Sequence, residues 1–213
     1  MKKQVFNFAV ASSVMSILFF IIVNMITSEA NLWFIYPTYA ILWWPISVYF
    51  ANKKSAKGLA IVGSGVTIAF VVLTNLITSP QHPWCLYVIF PILWWPLVLH
   101  IGRKAGTVKF ALLSSGAIIL YYAALNLWLS PVYPWVIYPT FAVLWWPLSL
   151  YFAYKKNPLA YACIGSIHTI VFFVVVNWVS SPAHIWAVYP AFAVLWWPLS
   201  IYYFVHLKDA EYR

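Results

Sequence analysis

Asn24, Asn75, Asn126 and Asn177 stand 51 residues apart, and so do Ser28, Ser79, Ser130 and Ser181. Trp33, Trp84, Trp135 and Trp186 keep the same interval, as do Tyr36, Tyr87, Tyr138 and Tyr189. The block Leu42-Trp43-Trp44-Pro45 returns at Leu93–Pro96, Leu144–Pro147 and Leu195–Pro198 without insertion or deletion. A fixed period along the whole chain is the mark of a duplicated supersecondary unit, so whatever local fold forms must form four times. The units run over 6–56, 57–107, 108–158 and 159–209, with 210–213 as a tail.

Each unit carries two apolar stretches, at about 6–27 and 33–51, 59–78 and 84–101, 110–129 and 135–153, and 159–180 and 186–205. Roughly 20 apolar residues cross a bilayer core as one helix. Only 7% of the 213 residues are charged and 65% are hydrophobic. That balance excludes an ordinary soluble domain and intrinsic disorder alike. The expected fold is an all-α integral membrane protein of eight transmembrane helices, a single membrane domain with no soluble part. The run after Met1-Lys2-Lys3 recurs three more times, so it reads as the first helix of a repeat and not as a signal peptide. Two helices per unit return the chain to its starting side. The repeats are therefore parallel, related by an axis along the membrane normal, unlike the inverted repeats of many transporters. A pseudo-fourfold ring of hairpins, or an arc that does not close, is the expected arrangement.

The basic residues are Lys2, Lys3, Lys53, Lys54, Lys57, Arg103, Lys104, Lys109, Lys155, Lys156, Lys208 and Arg213. All lie at a terminus or in a connection that follows an even-numbered stretch. This one-sidedness predicts cytoplasmic N and C termini in a bacterial-type cell membrane. The net charge of +9 is thus a topology signal. Its small groups at helix ends lack the continuous basic face of a nucleic-acid binder.

The run Asn75-Leu76-Ile77-Thr78-Ser79-Pro80 followed by Trp84, with Trp135-Val136-Ile137-Tyr138-Pro139 and Trp146, resembles the bacterial two-transmembrane hairpin domain. That family shows an Asn-Leu-hydrophobic-Thr/Ser-Pro turn, a Trp-Phe-x-Tyr-Pro start to the second helix and a Trp near its middle. The resemblance implies a membrane hairpin in each of the four units, in a family mostly of unknown activity and often fused to regulatory domains. Pro45, Pro96, Pro147 and Pro198 stand where the family tends to carry Gly. Ala51, Gly102, Ala153 and Phe204 stand about where it carries a His.

The repeated residues offer several chemistries. Trp33 and its equivalents suit either an interfacial aromatic belt or the rim of a ligand site. Trp43 and Trp44, Trp94 and Trp95, Trp145 and Trp146, and Trp196 and Trp197 lie ten residues further on, about 15 Å deeper in a helix. The Pro after each pair removes a helical donor from the carbonyl four residues before it. These carbonyls belong to Ile41, Ile92, Val143 and Val194. Trp N–H groups are one expected partner, since buried indoles and freed carbonyls both need one. Two other readings stay open: a cation path lined by Trp faces and carbonyl oxygens, and a flat apolar ligand such as a quinone, isoprenoid or porphyrin held between Trp rings.

Asn24, Asn75, Asn126 and Asn177 lie near the outer end of each first helix, level with Tyr36, Tyr87, Tyr138 and Tyr189. Either an Asn–Tyr or Asn–backbone bond clips the hairpin, or the amides surround a polar substrate. Ser13, Ser64, Ser115 and Ser166 are expected to let helices approach closely. The second unit departs from the others, with Val88 for Pro37, Pro139 and Pro190, a shifted Pro91, and His100 for Tyr49, Tyr151 and Tyr202. His168 falls in the middle of a stretch, where an ionisable group is a functional candidate. His82 and His184 fall in outer turns, and His206 falls near an inner end. Cys85 and Cys163 fall near opposite membrane faces and predict no disulfide.

The acids are Glu29, Asp209 and Glu211, at the surface or in the tail. Hydrolysis needs paired carboxylates or an activated nucleophile, and neither pattern is present. No metal-ligand spacing or phosphate loop occurs. The chain is expected to be no enzyme and to hold no cofactor or metal. It is expected to be either a non-catalytic membrane module that binds lipid, a membrane-protein partner or a second copy of itself, or a channel along the pseudo-fourfold axis. A third reading is a binder of an aromatic or isoprenoid ligand.

Overall fold

The computed structural model describes residues 2–28 and 31–207, with the backbone alone at 2, 206 and 207. Glu29, Lys208, Asp209, Glu211 and Arg213 lie outside the described residues. The described chain is helical without strands. Its helices are α1 (Lys2–Thr27), α2 (Ile35–Lys53), α3 (Ala56–Thr78), α4 (Cys85–Ile101), α5 (Val108–Leu129), α6 (Ile137–Lys155), α7 (Pro158–Ser180), α8 (Val188–Val194) and α9 (Trp196–Ile201). A 3-10 turn follows α4 at Gly102–Gly106, and a π-helical turn follows α9 at Tyr202–Leu207.

Among the described residues, six segments are long and apolar enough to cross a membrane: Lys3–Thr27, Ala56–Thr78, Cys85–Gly106, Val108–Leu129, Pro158–Ser180 and Val188–Val205. Helices α2 and α6 have 19 residues each but fall below that apolar level. Their Trp, Tyr, Pro and terminal Lys residues lower the mean hydropathy that Leu, Val and Ile raise elsewhere.

Local sequence explains the ends of these helices. The Ser55 hydroxyl accepts the Gly58 N–H at 3.1 Å and the Thr107 hydroxyl accepts that of Phe110 at 3.3 Å. Asn157 Oδ1 accepts the Ala160 N–H at 3.0 Å, with Pro158 in the first helical position. These are the side chains favoured before a helix. Lys54 and Lys156 end α2 and α6 in the left-handed region, both at φ 51°.

The chain forms two compact units, Met1–Gly102 and Arg103–Arg213. In the first, α1 packs on α2, α2 on α3 and α3 on α4. In the second, α5 packs on α6, α6 on α7, and α7 on both α8 and α9. Each unit therefore holds two hairpins with the middle helices in contact. Large apolar side chains such as Leu113, Leu120 and Leu127 on α5 point outward. The buried positions are mainly Ala, Gly, Ser and Asn, including Ala60, Ser64, Ala111, Ser115, Ala162 and Ser166. Small residues inside and large apolar residues outside is the pattern of helices packed in lipid, where close backbone approach replaces the hydrophobic effect.

Candidate functional site

The turn inside each hairpin is built by one buried Asn. Asn24 Nδ2 donates to the carbonyls of Ser28 at 2.7 Å and Asn31 at 2.9 Å, and Asn24 Oδ1 accepts the Phe34 N–H at 2.9 Å. Asn75 makes the same three bonds with Ser79, His82 and Cys85. Asn126 makes them with Ser130, Tyr133 and Val136, and Asn177 with Ser181, His184 and Ala187. Both amide donors are occupied by the turn backbone, so the amide donates nothing to a ligand in this conformation. The Asn thus clips the hairpin through backbone.

The four Tyr go elsewhere. Tyr36 packs edge-on to Phe70 and Tyr138 edge-on to Phe172, at 6.0 and 5.9 Å between ring centroids. Tyr87 lies beside His82, and Tyr189 is exposed. The Tyr133 and Tyr138 hydroxyls are 2.7 Å apart. That bond, formed at the turn before α6, raises the Tyr133 phenol above its ordinary value.

Midway along the helices, three of the carbonyls released by the Pro residues find a partner one helix away. Ser64 Oγ donates to Ile92 O, Ser115 Oγ to Val143 O and Ser166 Oγ to Val194 O, each at 3.2 Å. Sequence reasoning gave these Ser a packing role and expected Trp as donors; the hydroxyls do both jobs. The corresponding Ser13 is buried, and its hydroxyl has no partner among the described residues.

The Trp pairs divide between helices, as neighbours 100° apart on a helix must. Trp43 of the first hairpin meets Trp95 of the second, at 6.3 Å between centroids and 32° between planes. In the other unit Trp145 meets Trp197 at 6.2 Å and 41°. Beneath each pair lies a buried Gly. A Cβ on Gly63 would stand 2.6 Å from Trp43 Cη2 and 2.9 Å from Trp95, and one on Gly165 would stand 2.5 Å from Trp197 and 2.8 Å from Trp145. Trp44 packs edge-on to Phe8 and Trp146 to Phe110, at 6.0 and 5.8 Å. Trp94 lies 5.9 Å from Phe90, and Trp196 lies 6.5 Å from Phe192 and is exposed.

Sequence reasoning missed the role of Gly63 and Gly165. A signal was present, since Gly alternates at this position with Ser12 and Ser114, giving an interval of twice the basic period. The same interval relates two stacked pairs, Tyr39 on Phe70 at 4.2 Å and Phe141 on Phe172 at 4.0 Å.

His168 lies against α6. Its Nε2 donates to the Phe141 carbonyl at 3.1 Å, its ring stacks on Phe141 at 4.8 Å, and Trp145 meets it edge-on at 5.3 Å. Two cavities, of about 420 and 240 Å³, share Leu144 and His168 in their walls. Thr140 and Tyr151 are the other polar side chains in walls otherwise built of Val, Leu, Ile, Phe and Pro. His100 Nδ1 donates within its own helix to the Pro96 carbonyl at 2.8 Å. Among the described residues no group of three His, Cys, Asp or Glu is placed to hold a metal ion. Cys85 is half-buried and Cys163 exposed. No known protein family, no curated protein and no solved structure matches this chain.

Proposed function

We propose that the protein is a non-catalytic membrane module whose eight helical segments cross the cell membrane with both termini in the cytoplasm. Helices α2 and α6 complete the eight, because 19 residues reach about 28 Å, close to the hydrocarbon thickness. The four hairpins, similar to the bacterial two-transmembrane hairpin domain, form a pseudo-fourfold scaffold that presents an apolar surface to lipid and to a membrane-embedded partner. One observation carries this reading against the channel: the carbonyls of Ile92, Val143 and Val194 accept Ser hydroxyls of their own hairpins. A cation path needs such oxygens free to replace an ion's water shell. Flux of potassium or sodium from proteoliposomes tests it. Leakage equal to that of protein-free vesicles is expected. Flux above that level, lost when Trp44, Trp95, Trp146 and Trp197 are all changed to Phe, overturns the module in favour of the channel.

A second reading, the binding of an isoprenoid or aromatic ligand, is favoured by the groove beside His168. A chain that fills both cavities passes a hydrogen-bonding ring midway along an otherwise apolar wall, which suits a quinone-like headgroup with an apolar tail. Mass spectrometry of lipids that copurify with the protein tests it. Enrichment of an isoprenoid over bulk membrane, lost in His168→Leu, is the expected sign; a bulk lipid profile removes the reading.

A further inference from the structure

Where α6 passes into α7, the second unit holds a cavity of about 310 Å³. Its walls include Ser149 and Phe152 of α6, Lys156 and Asn157 of the connection, and Pro158 and Tyr161 of α7. The aromatic part of the wall is held from behind. The Tyr161 ring packs 5.3 Å from Trp197, 6.1 Å from Trp145 and 5.8 Å from Phe152.

The polar part is rich in unused donors. Ser149 Oγ and Tyr161 Oη are 2.8 Å apart. Two hydroxyls carry two hydrogens, and the bond between them uses one. Whichever oxygen accepts keeps a hydrogen for a third group. Asn157 Oδ1 is taken by the Ala160 N–H, and its Nδ2 makes no bond among the described residues. Lys156 adds an ammonium, and no acidic side chain falls among the described residues to pair with it. Lys155, by contrast, lies over the Tyr151 ring at 5.8 Å. An ammonium, an amide and a hydroxyl around one cavity, with no acid, suit an anion.

The corresponding junction of the first unit is built differently. There the Phe50 ring lies so close over Gly58 that a Cβ would collide with it. Ala160 stands at the equivalent place in the second unit and carries that Cβ. Phe152 therefore cannot lie over α7 as Phe50 lies over α3, and space is left beside it. Leu59 stands where the second unit has Tyr161, so the hydroxyl pair is missing as well. Lys54 and Lys156 themselves share one backbone conformation, at φ 51°.

We infer that the cavity at the α6–α7 junction takes a phosphate group, carried by the headgroup of an anionic phospholipid. Phosphate oxygens accept from ammonium, amide and hydroxyl together, and basic pockets between membrane helices receive such headgroups. Lipid is the source favoured over soluble phosphate because Phe152, Pro158 and the Tyr161 ring give the wall an apolar part. That part suits the glycerol and the first methylenes of a lipid. The inference deepens the module reading and rests on it for placing the α6–α7 connection at headgroup level.

The test is native mass spectrometry of the full chain in detergent micelles, titrated with phosphatidylglycerol or phosphatidylcholine. Tighter binding of phosphatidylglycerol is expected. Lys156→Gln should weaken it about tenfold, the loss of one charged hydrogen bond, and Lys156→Arg should restore it. Ser149→Ala with Tyr161→Phe removes both hydroxyls, keeps the packed ring and should weaken it about fivefold. Lys54→Gln, at the matching position of the first unit, should leave it unchanged. Equal binding of the two lipids overturns the inference. Equal losses in Lys54→Gln and Lys156→Gln overturn it in favour of a diffuse basic surface. Displacement of the lipid by millimolar inorganic phosphate, dependent on Lys156, overturns the lipid assignment in favour of a soluble phosphate ester. Potassium flux from vesicles lets the two readings fail separately. Flux with the lipid preference intact overturns the module alone, and loss of the preference without flux overturns this inference alone.

Discussion

Ser166 donates its hydroxyl hydrogen to the carbonyl of Val194 at 3.2 Å, across 28 residues of sequence. Pro198 leaves that carbonyl without its helical donor, so one bond repairs the backbone and fastens α7 to α8. Removing such a hydroxyl leaves a buried acceptor unpaired, at a cost of about 1–2 kcal/mol. Ser64→Ala, Ser115→Ala and Ser166→Ala should each lower stability by that amount in reversible unfolding from detergent micelles. Ser13→Ala should cost less than any of them, because the Ser13 hydroxyl has no partner among the described residues to lose. Equal losses at all four positions would contradict this account.

Gly63 and Gly165 are held to Gly by the Trp rings above them. Gly63→Leu and Gly165→Leu should separate Trp43 from Trp95 and Trp145 from Trp197, with a loss of about 1–3 kcal/mol from overpacking. Nothing lies within 4 Å of a Cβ built on Gly65 or Gly116. Gly65→Ala and Gly116→Ala should therefore be stabilising, by up to about 1 kcal/mol of helix propensity. Opposite signs in the two sets, read as shifts in thermal midpoint and in Trp fluorescence, check the assignment.

The turn Asn residues act through three bonds each. Asn126→Asp keeps the acceptor for the Val136 N–H but deprives two carbonyls of their donors. It should destabilise by about 2–3 kcal/mol, the loss of two buried partners. Tyr36→Phe, which touches none of these bonds, should leave the first turn intact. Limited proteolysis in the outer turns separates the outcomes: Asn126→Asp opens its turn to cleavage and Tyr36→Phe does not.

Tyr133 predicts an alkaline dependence. The hydrogen bond from its partnership with Tyr138 raises its pKa, so its phenol holds its proton to higher pH in the folded chain than in the unfolded one. A raised pKa gives stability that is present in full below the unfolded value of about 10 and is lost as pH climbs from there through the folded value. Ultraviolet titration of tyrosinate should show Tyr133 ionising late, and Tyr138→Phe should bring it down. An unchanged titration in Tyr138→Phe would remove the hydrogen bond as its cause.

The hairpin was readable in the sequence because its determinants are local. Asn24 reaches Ser28, Asn31 and Phe34 within ten residues, and the helix caps at Ser55, Thr107 and Asn157 act over three. The mid-depth layer was half readable. The Pro residues named the carbonyls that would lack a donor, but not the atoms that answer them. Trp N–H groups and Ser hydroxyls were both at hand, and the choice depends on how α3 is turned against α4.

By itself the sequence determined the 51-residue period, the length of each apolar run and the grouping of the basic residues in alternate connections; it left the turn Asn open between Tyr, backbone and a polar substrate. The first three follow from spacing and composition, which the covalent chain sets directly. Tertiary structure decided that hairpins pair within each unit, that Trp43 meets Trp95 over Gly63 and that Trp145 meets Trp197 over Gly165. Those contacts join residues 52 apart on different helices. Each helix is apolar nearly all round, so periodicity names no inward face. Only the packing of side chains against the neighbouring helix fixes the rotation that brings them together.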